Sequence, residues 1–149
     1  MELLFATGAR VSEVCSLTPS SVNLDNHTVK FYGKGSKERI IQIENLNVRK
    51  ALNNYVNVFD EEIKASEYFF VNRLHNRLSE QSVREMIRKY TKLAEINIHI
   101  TPHMFRHTFA TLLLEEDVDI RYIQRLLGHS SITTTQIYTH VAMSKQKEI

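Results

Sequence analysis

The sequence predicts a mainly α fold carrying one small antiparallel β-sheet. Most of the chain places apolar residues three and four apart, the spacing of a helix with one buried face. Only two stretches, HTVKFYG and KERIIQI, alternate with period two. The segment GKGS between them supplies the glycines of a tight turn, so the pair reads as a hairpin. With 149 residues, of which 42% are hydrophobic and 24% charged, the chain is long enough for one domain with its own core.

In order along the chain, MELLFATG reads as the end of a helix stopped at Gly8, a residue suited to the left-handed position that closes helices. ARVSEVCSL is a second short helix, ended by Thr18-Pro19 because the residue before proline avoids the helical region. The hairpin follows. LNVRKALNNYVNVF is the next helix, and EYFFV is an edge strand or a buried connector. SEQSVREMIRKYTKLAEI is a strongly amphipathic helix with Ser79 as N-cap and Val83, Met86, Ile87, Tyr90 and Leu93 as its expected buried face. Thr101-Pro102 reads as N-cap and first helical position of HMFRHTFATLLLE. DIRYIQRLLG is stopped by Gly128, SSITTTQIYTHV is a short β-branched helix, and KQKEI is a polar tail. The opening helix has no N-cap residue before it, so upstream sequence is expected, and Leu3, Leu4 and Phe5 are expected to expose apolar surface.

Composition narrows the function classes. A single cysteine, Cys15, allows no internal disulfide and reads as a small buried residue. No apolar run approaches the roughly 20 residues of a membrane helix, and no signal peptide opens the chain, so a cytoplasmic protein is expected. A net charge of +2 says little by itself. Locally, residues 30–39 and residues 84–92 each carry four basic side chains against one acid. Either is a solvated face when taken alone.

Six residues stand out as possible carriers of chemistry: Arg10, Lys34, His103, Arg106, His129 and Tyr138. His103 and Arg106 are three apart in one helix and share a face. A guanidinium grips two phosphate oxygens at once, and a neighbouring imidazole moves a proton near neutral pH. Arg10 opens a helix just after Gly8; it either neutralises charge on the same phosphate or merely pairs with Glu13 at i+3. Lys34 lies between Gly33 and Gly35 at the hairpin tip, where it protonates a leaving oxygen, touches a phosphate, or is an ordinary turn lysine; Lys37 is a rival for the role. His129 follows a helix stop and would otherwise be a helix-end histidine. Tyr138 is either a core aromatic or a nucleophile. With an ordinary pKa near 10, it needs cationic neighbours to react. A metal reading rests on His99, His103 and His107, spaced by four, but Pro102 interrupts the run and no further ligand pattern supports it.

Singly these signals are weak. Together, in this order, ATGARVSE, GKGSKER, TPHMFRHTFAT and LLGHSSITTTQIYTHV closely resemble the tyrosine recombinase (phage integrase) family, especially its Xer-like and transposon integrase members. The resemblance runs over essentially the whole chain. It implies a tyrosine recombinase catalytic-domain fold over residues 1–149, without the first helices of that domain and without the N-terminal core-binding domain. It implies that Arg10 and Arg106 hold the scissile phosphate, His103 accepts or donates a proton, Lys34 protonates the departing 5′ oxygen, His129 hydrogen-bonds phosphate or nucleophile, and Tyr138 forms a 3′-phosphotyrosyl bond. Glu13 resembles a supporting acid, and His107 a structural family histidine. The implied partner is double-stranded DNA, the implied full-length assembly a tetramer on DNA, and neither metal nor cofactor is called for. The alternative is a catalytically silent DNA-binding or assembly fragment.

Overall fold

The computed structural model describes residues 1–35 and 37–128. The order of elements is α1 (Glu2–Thr7), α2 (Val11–Cys15), a 3-10 turn (Pro19–Ser21), β1 (Val22–Asn23), β2 (Thr28–Tyr32), β3 (Glu38–Gln42), α3 (Leu46–Lys64), α4 (Glu80–Leu93), α5 (Pro102–Glu115) and α6 (Ile120–Leu127). The mainly α fold with a small antiparallel sheet is the one expected. Strands run β1-β2-β3, each pair antiparallel. The two-residue β1 is an addition to the expected hairpin; at that length no alternation can announce a strand.

Local chemistry sets most boundaries. Gly8 closes α1 at φ 61°, and its N–H bonds back to the Leu4 carbonyl at 3.0 Å. A Cβ there would collide with the Phe109 ring and come within 2.8 Å of Leu127, so glycine is required for packing as well as for backbone conformation. Ser79 and Asp119 cap α4 and α6 by accepting the N–H groups of Ser82 and Arg121, and Gly128 ends α6 at φ 65°. Pro102 occupies the first turn of α5; Thr101 is its N-cap residue but makes no side-chain capping bond. Helix α3 continues past the expected end at Phe59, where the backbone leaves helical geometry (φ −114°, ψ 25°), and runs on to Lys64. EYFFV proves to be the connector: Phe69 is buried and its N–H bonds to the Leu17 carbonyl at 2.7 Å.

The larger core cluster gathers α1, α2, both long strands, α3 and α4, with Leu4, Cys15, Val29, Phe31, Ile43 and Ile87 almost wholly enclosed. A smaller cluster of Ala110, Ile123 and Leu127 joins α5 to α6. Two expectations about burial need correction. Leu3 and Leu4 are buried, because α1 packs into the domain; Phe5 alone of that trio stands exposed, beside Leu112 and Tyr122 in an apolar groove. On α4 only Val83 and Ile87 are buried, whereas Met86, Tyr90 and Leu93 are exposed. The helix touches the core along a stripe one residue wide per turn, narrower than its apolar pattern. Among the described residues no helix is long and apolar enough to cross a membrane.

Candidate active site

Arg10 is the N-cap of α2, and the short helix is held by Glu13 at its third position, whose carboxylate reaches back to the N-cap backbone. The Arg10 N–H donates to Glu13 Oε2 at 2.8 Å, while Arg10 Nη1 reaches Glu13 Oε1 at 3.3 Å. The plain pairing at i+3 therefore exists. It does not consume the arginine, whose side chain stays 39% exposed. Glu13 is buried, and Arg39 on β3 grips it fork to fork: Nη1 to Oε1 at 2.9 Å and Nη2 to Oε2 at 2.6 Å. Burial alone would raise the Glu13 carboxyl. The hydrogen bonds from Arg39 and the Arg10 backbone, with the charges of both guanidinium groups, outweigh it and hold the carboxyl below its ordinary value of 4.5.

Arg106 sits one turn into α5 on the face that also buries Ala110. Its Nη1 donates to the Gly8 carbonyl at 2.6 Å and its Nη2 to the Leu127 carbonyl at 2.5 Å. These are end carbonyls of α1 and α6, where a helix lacks internal donors and carries partial negative charge. The guanidinium plane is fixed by both contacts. His103, three residues earlier, is exposed. Arg10, His103 and Arg106 line a single cavity of about 450 Å³, together with His99, Arg84 and Arg88.

Lys34 projects from the hairpin tip, where the Gly33 N–H bonds to the Lys37 carbonyl at 2.8 Å and Gly35 adopts φ 75°. It lines an adjoining open basin with Lys37, Arg39, Glu13, Arg121 and Arg125. Arg10 borders both spaces, which connects the hairpin lysine to the two-arginine cavity. Lys34 and Lys37 share the basin. His129 and Tyr138 lie outside the described residues.

One contributor, Arg39, is not singled out by the sequence motifs, although it stands on β3 in phase with the buried Ile41, and a charged residue in an inward register is a readable signal. Arg84 and Arg88 were visible as members of a basic segment, and their i, i+4 spacing puts both on the cavity wall. His99 precedes α5 as the position of Pro102 requires, and still reaches the cavity. No three His, Cys, Asp or Glu side chains cluster as metal ligands among the described residues. Cys15 is fully buried, and burial pushes its thiol pKa up, as suits a packing residue.

Comparison with known proteins identifies the family of the chain. The phage integrase family pattern matches residues 1–145. The chain is 61% identical over 149 residues to a tyrosine recombinase of Agathobacter rectalis, aligning all of this chain with 49% of that protein. It is 45% identical over 147 residues to tyrosine recombinase XerC of Bacillus subtilis, covering 95% of this chain and 48% of the relative. The chain thus spans about half the length of the curated relatives it matches. Among solved structures, the XerA recombinase superposes with a TM-score of 0.86 at 38% identity, covering 97% of this chain and 54% of that one. XerH recombinase in a post-cleavage complex with a palindromic difH substrate gives 0.85 at 26%, covering 99% and 42%. With its motifs, its fold and nearly its full length matched, the chain belongs to the phage integrase family of tyrosine recombinases.

Proposed function

We propose that this chain is the catalytic domain of a site-specific DNA recombinase that cuts and rejoins strands through a 3′-phosphotyrosyl intermediate. The observation that carries the reading is the meeting of Arg10, His103 and Arg106 in one cavity, with Lys34 in the adjoining basin. In the first step the Tyr138 oxygen bonds to phosphorus as the P–O5′ bond breaks. The tyrosine proton passes to His103, and the departing 5′ oxygen takes a proton from Lys34. Arg10 and Arg106 grip the non-bridging oxygens where charge grows in the transition state, and His129 has the role of hydrogen-bonding the phosphate or the nucleophile. These guanidinium groups supply the cationic charge, and the reading calls for no metal or cofactor. Attack by a 5′ hydroxyl on the phosphotyrosine reverses the step and reseals DNA.

Arg84, Arg88 and Lys92, at successive i+4 positions on α4, extend the cationic surface outward from the cavity and suit contacts to the phosphate backbone. The full-length protein works as a tetramer on DNA in the cytoplasm. The 149-residue chain corresponds to the catalytic half of its relatives, the core-binding domain lying upstream.

The test uses a pool of nicked duplexes with a randomised core, so that a cleaved end diffuses away and the covalent adduct accumulates. The chain is expected to give a shifted band on a denaturing gel that disappears in Tyr138→Phe. Salt-sensitive retention of DNA that survives this change, with no adduct from the unaltered chain, would instead identify a silent binding module.

The leaving-group role is tested separately. Lys34→Ala is expected to slow cleavage by about 10²–10⁴-fold, the usual worth of a general acid. A bridging 5′-thio substrate, whose sulfur leaves without a proton, should restore the rate. Failure of that rescue would transfer the role to Lys37 or reduce Lys34 to a phosphate contact.

A further inference from the structure

Two arginines compete for the Glu13 carboxylate, and the outcome decides where Arg10 points. Arg39 holds both oxygens at 2.9 and 2.6 Å, whereas the Arg10 guanidinium has one longer contact at 3.3 Å. Arg39 is locked in place: its side chain is 8% exposed, and its guanidinium carbon lies 5.1 Å from the centre of the Phe31 ring, the residue opposite it on β2. Gly128, the last described residue before His129, packs so closely that a Cβ would sit 3.3 Å from Arg39 Nη1. The Arg39 Nε is buried without a hydrogen-bond partner among the described residues.

Without Arg39, a buried carboxylate would face a single remaining nearby guanidinium. Arg10 would close on it as a two-bond pair and withdraw from the cavity, since such pairs are stronger than single contacts. We propose that Arg39 is a positioning residue for Arg10: by occupying both oxygens of Glu13, it keeps the Arg10 guanidinium turned toward the cavity it shares with His103 and Arg106. This inference rests on the recombinase reading above.

The experiment measures covalent adduct formation by the unaltered chain, Arg39→Met, and the double variant Glu13→Gln with Arg39→Met. Arg39→Met is expected to lower the rate by about 100-fold, the scale of a displaced catalytic group. Adding Glu13→Gln removes the carboxylate that captures Arg10 and should recover about tenfold of that loss, a non-additivity expected of directly coupled residues. A residue that only supported the fold would give a double variant as slow as the single one, or slower. That outcome, or an undiminished rate in Arg39→Met, would overturn the proposal while leaving the recombinase reading intact; an unaltered chain that forms no adduct would sink both. Circular dichroism and urea melts accompany each variant. Should Arg39→Met fail to fold, the same comparison is made on Arg39→Lys, whose point charge serves one oxygen and leaves the other to Arg10.

Discussion

Arg106→Ala is expected to lose most strand cleavage and a large part of the chain's stability together. Under the proposed function, the catalytic loss follows from removing a phosphate-gripping charge, on the order of 3–4 kcal/mol of barrier. The stability loss has a different source. Two buried end carbonyls, those of Gly8 and Leu127, would each lose a charged donor at 2.6 and 2.5 Å, at a cost of about 3–5 kcal/mol for the pair. Urea denaturation measures the second effect, and adduct formation below the melting temperature of the variant measures the first. Arg106→Lys keeps the charge but cannot span both carbonyls, so it should recover part of the stability and little of the cleavage. Near-normal stability in the alanine variant would mean that water serves those carbonyls. Near-normal cleavage would remove Arg106 from the site.

Glu13→Ala is expected to be comparably severe for folding. It strands Arg39, whose side chain is 8% exposed, as a buried charge without its carboxylate, a change that costs about 3–5 kcal/mol at pH 7. The pH dependence has a definite sign. The folded-state pKa of Glu13 lies below its ordinary value of 4.5, so its contribution is complete above that value and is lost as pH falls through the depressed one. Stability of the unaltered chain should therefore erode in acid, and the gap between it and the alanine variant should narrow below about pH 4.5. Urea titrations at pH 7 and at pH 3 test this. A gap of equal size at both values would show that the ion pair contributes nothing specific.

Much of the architecture was legible because it rests on short-range chemistry. The period-two strands around Gly33 and Gly35, the cap at Ser79, and the stops at Gly8 and Gly128 are all written within a few residues of where they act. The extent of burial on α4 was not legible, because Met86, Tyr90 and Leu93 have the right spacing and the domain offers them no neighbouring surface. The site divides in the same way. Arg10, His103 and Arg106 were identifiable from motif order, but the carbonyls that hold Arg106 lie 98 and 21 residues away along the chain. Arg39 finds Glu13 across 26 residues, and nothing local in either segment announces the partner. Only the inward register of β3 hinted that Arg39 had something to satisfy.

The bond from Arg106 to the Gly8 carbonyl also bears on timing. Its ends are 98 residues apart, so a chain emerging from the ribosome has made the Arg10 segment long before the helix carrying Arg106 exists. Contacts of such separation form late, since a long loop must close before they repay its entropy. Paired arginines thus arise only once α5 has docked against the end of α1. A half-folded chain would hold one arginine and no partner, so under the proposed function it could not cleave a DNA strand.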